Sequence, residues 1–211
     1  MRSLTVLFLA VCMAAPLSAQ EEQAPAAPKP VFPLLSLIRV PNVRQSSDYT
    51  SCVASFQSML AYYGIDTRED ELARELKADP KNGAVTSEIQ RVAVSHGLKA
   101  ERKVGATLEE LKKAIDEKQP ALLLIQAWSD SKQVDYSKDW EDGHCVVAVG
   151  YDEVNLYLMD PSVIGRYAYI PLAEFLPRWH DQDGEVRVEH LMMPIHGLVP
   201  RYLPEEPVRT E

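Results

Sequence analysis

The chain has 211 residues, 46% hydrophobic and 25% charged, with a formal net charge of −9. Once a leader and a proline-rich arm are set aside, that length and balance fit one globular domain with a single sizeable core and exclude a disordered chain. The acidity, without clustered lysine and arginine, argues against nucleic acid and anionic membrane surfaces as partners and reads as an aid to solubility.

Residues 1–19 hold one basic residue, Arg2, then a short apolar run and small residues ending at Ala19. They read as a secretory signal peptide, too short for a membrane span, and place the mature protein outside the cytoplasm, in the periplasm or secreted. Cys12, preceded by Val11, is not expected to carry a lipid anchor. Residues 20–33 are rich in proline and alanine and read as an extended tether. The folded domain is expected over 34–196, followed by a proline-rich tail over 197–211 that is poorly ordered at its end.

Residues 35–40 look like a first strand or extended arm. Cys52, Phe56, Met59 and Tyr63 then recur at steps of four, three and four, which predicts a buried helix stopped by Gly64, with Cys52 in its first turn. Thr67 with Asp70 resembles a capping box for a second helix that carries Leu72 and Leu76. A third helix is expected from Thr86 or Ser87 to Gly97, then a short edge strand within 98–104. Thr107 and Glu110 form a capping box for a fourth helix that buries Leu108, Leu111 and Ile115. From Pro120 the regime changes: 121–125 is a continuous apolar run of strand length. Further strands are expected over 144–151, 156–159, 166–170 and 186–192, with a short helix between Pro171 and Trp179. The order, helices first and antiparallel sheet second, defines an α+β domain.

Only Cys52 and Cys145 survive removal of the leader. Two cysteines are too few for a disulfide scaffold, although they could form one bridge. Cys52 is a candidate nucleophile, because the attacking species is the thiolate and a helix N-terminus favours negative charge. The competing reading is a buried apolar residue of the helix face. His144 follows Asp142-Gly143 at the start of a strand, where its imidazole can reach another element. The remaining histidines, His96, His180, His190 and His196, are expected at surface or capping positions. Cys145 should point away from His144, because strand side chains alternate, and so be buried and inert. That alternation argues against a Cys52 to Cys145 bridge if His144 faces Cys52. Asp160, sixteen residues after His144 and reached by a hairpin turning at Asp152-Glu153, is placed to orient the imidazole, though Asp160-Pro161 also suits a turn. Gln45, seven residues before Cys52, could join the Cys52 amide in receiving an oxyanion.

Gln45, Cys52 opening a helix that ends Ala61-Tyr62-Tyr63-Gly64, Gly143-His144 leading into Val146 to Asp152, and Asp160-Pro161 together resemble the C39-like branch of the papain-like cysteine peptidases. The resemblance spans Val40 to Trp179. It implies a papain-like fold and a thiol peptidase in which Cys52 is nucleophile, His144 base, Asp160 orienting residue and Gln45 oxyanion donor. Two positions depart from the family pattern: Val53 stands where a glycine usually follows the cysteine, and the Gln45 to Cys52 gap is one residue longer. The best-known members cut double-glycine leaders as parts of export transporters, whereas this chain has a leader of its own and no Walker A motif. The expectation is therefore an extracytoplasmic cysteine peptidase acting on a peptide or protein, with no metal or other cofactor, no nucleic-acid partner and no membrane span. Acyl transfer on the same scaffold, and a binding or maturation module without efficient turnover, are the alternatives. A long loop over 129–142, holding Trp140, is either a cleft wall or a solvated connector.

Overall fold

A computed structural model describes residues 37–204; the expected leader and tether, residues 34–36 and residues 205–211 lie outside them. Helix α1, Ser51–Tyr62, has ten of its 12 residues buried, so it is a central helix packed on most sides and not a surface one. Ala54, Ser55 and Ser58 are small enough to let neighbouring elements approach it. It ends where Gly64 takes a left-handed φ of 76°, and the last carbonyl, Tyr62 O, accepts from Arg201 N at 2.9 Å and Tyr202 N at 3.2 Å. The start of the proline-rich tail therefore docks on the end of α1.

Helix α2, Glu69–Glu75, lacks the expected capping box: its N-cap is Arg68, and Thr67 Oγ1 is buried without a partner. Three acids in the first turn, Glu69, Asp70 and Glu71, complement the helix dipole instead. Helix α3 spans Thr86–Ser95, and the two-residue strand β1, Lys99–Ala100, follows as a short edge. Helix α4, Leu108–Asp116, starts on the reciprocal capping box of Thr107 and Glu110 that the sequence predicts.

The second half supplies β2 (Ala121–Gln126), β3 (Gly143–Tyr151), β4 (Asn155–Met159) and β5 (Ala168–Pro171). Helix α5 (Leu172–Arg178), β6 (His180–Asp183), β7 (Val186–Glu189) and β8 (Met192–His196) complete it. Six strands form one antiparallel sheet in the order β1-β8-β2-β3-β4-β5, while β6 and β7 form a separate hairpin. Every residue of β2 is buried, as its unbroken apolar run requires of a strand inside the sheet. The single strand expected over 186–192 is in fact two, because His190 takes a φ of 51° and gives its N–H to Trp179 O. His196, expected at a surface or capping position, belongs to β8 opposite Lys99. Residues 37–40 form no strand, although Ile38 N bonds Val149 O at 2.7 Å. Among the described residues no helix is long and apolar enough to cross a membrane.

The N-terminus of α1 lies across the start of β3. Ser51 Oγ accepts from Cys145 N at 3.3 Å, and Ser55 Oγ donates to Cys145 O at 2.9 Å. This crossing brings the two chemistry-bearing stretches of the sequence together.

Candidate active site

His144 is the second residue of β3, and Asp160 follows the last residue of β4. Val147 pairs with Met159, so Asp160 falls just past the paired ladder at the end of the sheet where His144 begins. His144 Nε2 lies 2.7 Å from Asp160 Oδ1, and both side chains are about 6% exposed. Asp160 Oδ1 also accepts from Ser162 N at 2.8 Å, and Oδ2 accepts from Trp128 Nε1 at 3.1 Å. Burial alone would raise the Asp160 pKa, but these hydrogen bonds from His144, Ser162 and Trp128 outweigh it and hold the carboxyl below its usual value. The carboxylate stays charged and fixes one imidazole nitrogen, which leaves Nδ1 as the nitrogen able to exchange a proton with the cleft.

Cys52, in the first turn of α1, lines a cleft of about 440 Å³ together with Ser51, Gly143, His144 and Cys145. Its sulfur is joined to that of Cys145 in a disulfide, with the Cα atoms 4.8 Å apart. Cys145 is buried, as expected, but it is bridged to Cys52, against the argument from alternation. The first turn of α1 lands at the start of β3. There the helix reaches Cys145 while His144 lines the same cleft from the sheet end.

Gln45 stands apart from this cleft. Its Nε2 donates to Ser47 O at 3.0 Å, its Oε1 accepts from Ser162 Oγ at 3.3 Å, and it lines a separate depression with Pro161 and Ser162. The structure therefore brings His144 to Asp160 and both cysteines to His144's cleft, and leaves the Gln45 amide on Ser47.

Sequence reasoning missed the opposite wall, which the β6–β7 hairpin builds. Asp181 is 8% exposed and lies so close to Gly143 that any side chain there would run into its carboxylate. Gln126 Nε2 donates to Asp181 Oδ1 and to His180 O, both at 3.1 Å, and Gln126 Oε1 accepts from Asp142 N at 3.0 Å. Burial pushes the Asp181 carboxyl up to about 7, in spite of hydrogen bonds from Gln182 and Gln126. His180, expected at the surface, is buried against Trp140 with ring centroids 4.5 Å apart. Trp140 and Glu141 line the cleft, so the long loop does form a wall. Trp128, at the start of that loop, holds a left-handed φ of 66° while 58% exposed, a conformation costing roughly 1–3 kcal/mol. Among the described residues no group of three or more His, Cys, Asp or Glu is placed to hold a metal ion.

Helices packed before an antiparallel sheet, with a helix N-terminus facing a buried histidine and carboxylate pair, are the architecture of a papain-like peptidase. The Peptidase_C39 like family model matches residues 37–185, and the chain belongs to that family. Solved structures agree on the fold. A Bacillus anthracis protein described as a C39-like peptidase matches with TM-score 0.57 and 21% identity, over 78% of this chain and 97% of that one. A double glycine motif protease from an AMS/PCAT transporter, solved with its leader peptide, matches with TM-score 0.55 and 19% identity, over 77% and 94%. The peptidase domain of Streptococcus ComA, a bifunctional ABC transporter of a quorum-sensing pathway, matches with TM-score 0.54 and 16% identity, over 73% and 96%. A search of curated proteins returned no match. Family and fold support a cysteine-peptidase function.

Proposed function

We propose that the protein is an extracytoplasmic cysteine peptidase that cleaves amide bonds of peptides or proteins held in the cleft between α1 and the β6–β7 hairpin. The observation that carries this reading is the buried His144–Asp160 pair beside Cys52 at a helix N-terminus. Cys52 first has to be released: a dithiol reduces the bridge, each cysteine gains a proton and an electron, and the dithiol leaves as its own disulfide. The Cys52 thiolate then attacks the amide carbonyl, His144 protonates the leaving amine, and water hydrolyses the thioester with His144 as base. Asp160 holds the imidazole tautomer. The oxyanion is received by the Cys52 amide at the start of α1 and by Gln45 once its side chain turns from Ser47. A leader over residues 1–19 and a disulfide in the mature domain both suit an oxidising compartment.

The test compares peptide cleavage before and after treatment with a dithiol. Activity that appears on reduction and is lost in Cys52→Ala supports the reading; full cleavage by reduced Cys52→Ala refutes it. The bridge itself favours a second reading, a peptide-binding module without turnover. Reduced protein that binds peptides, cuts none and reacts with iodoacetamide near pH 6 no faster than an ordinary thiol would establish it.

A further inference from the structure

We infer that the cleft seats a lysine side chain of the bound peptide, with Asp181 as the group that receives its ammonium. The inference rests on the reading that this cleft holds peptide, and it names one side chain that such a peptide carries.

Asp181 reaches the cleft because Gly143 leaves room for it. A side chain on Gly143 would collide with both carboxylate oxygens, so the Asp181 carboxylate lies directly against that glycine. Gly143 is exposed and lines the cleft, whereas Asp181 is only 8% exposed. The two oxygens are used differently. Oδ1 accepts from Gln126 Nε2 at 3.1 Å and from Gln182 N at 2.7 Å, while among the described residues no hydrogen bond or ion pair goes to Oδ2. Nor is Oδ2 sealed in: the described buried side-chain atoms without a partner are Thr67 Oγ1 and His96 Nε2. The open space that Asp181 lines is the cleft, and its free oxygen faces there. Burial holds the proton on this carboxyl up to about 7, so its anion lacks the solvation that an arriving cation supplies.

The surrounding charge fits a cation. Asp48, Glu141, Asp183 and Glu185 also line the cleft, against one ammonium, Lys81. Lys81 is bound to Glu185 at 3.2 Å and Asp183 to Arg102 at 2.8 Å, whereas Asp48, Glu141 and Asp181 make no ion pair among the described residues. A metal ion is a poor match, because no three ligating side chains converge among the described residues. Reaching a group this deeply set takes a long side chain, and Tyr49, Leu124 and Trp140 offer apolar surface to its stem. Lysine fits better than arginine: a guanidinium fork engages both oxygens of a carboxylate, and Oδ1 already accepts two N–H bonds. One free oxygen suits a single ammonium.

The experiment titrates bridged, nitrogen-15-labelled protein with alanine pentapeptides capped at both ends, at pH 8, above the Asp181 value of about 7. Lysine occupies each position in turn, and every peptide has a twin with acetyl-lysine, which keeps the stem and loses the charge. For at least one position the lysine peptide should bind about 10- to 100-fold tighter than its twin, the range a charge-assisted hydrogen bond gives, and tighter than its arginine counterpart. The Gly143 and Gln182 amide signals should shift as it binds. In Asp181→Asn, checked for folding by its Tm, the gap between twins should close; in Glu141→Gln it should persist. Twins that bind equally at every position, or not at all, overturn the inference. So does a gap that survives in folded Asp181→Asn, or one that vanishes only in Glu141→Gln. Cleavage by dithiol-treated protein is scored apart. If peptides are cut and lysine confers no preference in binding, the lysine seat fails and the peptidase reading stands. If the lysine preference is found and nothing is cut after reduction, the seat stands and the peptidase reading fails.

Discussion

Asp160 carries three hydrogen bonds on its two oxygens, from His144, Ser162 and Trp128, and each donor comes from a different segment of the chain. A carboxylate held this way does more than neutralise an imidazolium: it decides which imidazole nitrogen bears the proton. Asp160→Ala removes the acceptor from Nε2 and leaves Ser162 N and Trp128 Nε1 without theirs. Nothing then fixes the imidazole tautomer or steadies the imidazolium that forms during the reaction. The expected result is a loss of about 10⁴-fold in kcat, with little change in the circular dichroism spectrum. Single-turnover rates for the variant within tenfold of wild type would remove Asp160 from the mechanism. His144 and Asp160 were legible in the sequence because a glycine before a strand and the length of a hairpin fix where two side chains return to one level. The donors Trp128 and Ser162 were not, since nothing in a loop composition says which indole or amide will fold back over a carboxylate.

At the scale of elements, the molecule is organised by the crossing of α1 over β3. Helix α1 was legible from its apolar spacing, and β2 and β3 from their apolar runs, because burial on most sides needs continuous hydrophobic sequence. The crossing was not, because periodicity gives the face of an element and not the point at which a partner lands. For the same reason the alternation of His144 and Cys145 pointed away from a bridge that exists. The bridge closes a loop with a sequence separation of 93 residues, for which chain entropy predicts a stabilisation of about 4–5 kcal/mol. Reduction under native conditions should therefore lower the denaturant midpoint measurably while leaving the protein folded, since the core around Val53, Phe56 and Leu60 does not depend on the sulfur atoms. Equilibrium unfolding in guanidinium, with and without a dithiol, measures the difference. A midpoint unmoved by reduction would contradict the chain-entropy estimate.

At the scale of the whole molecule, the hairpin of β6 and β7 is the part that sequence reading passed over. His180-Asp181-Gln182-Asp183 has no apolar residue to mark it as a strand, yet it forms β6, closes the cleft and buries Asp181 beside Gly143. The signal was absent because the burial is imposed from outside, by Gln126 and by the packing of the hairpin on the end of the sheet. That burial makes global stability depend on pH. Asp181 has its pKa raised to about 7, from 3.8 as an ordinary aspartate, so across that window the folded state holds a proton that the unfolded state has lost. Its contribution is fully present below pH 3.8 and is lost as pH rises through about 7, so stability falls between these values and levels off above them. The full excursion has a ceiling of about 4 kcal/mol. Asp160, whose pKa is lowered, acts in the opposite sense and at more acid pH: its contribution is present above the usual aspartate range and lost as pH falls through its folded value. The two effects therefore occupy separate windows. Asp181→Asn keeps an oxygen to accept from Gln126 and Gln182 but cannot ionise. The variant should flatten the decline of Tm from pH 4 to pH 7, and should exceed wild type in stability at pH 8. A wild-type Tm that holds level across that window would show that Asp181 ionises in the fold without cost, with water reaching it through the cleft.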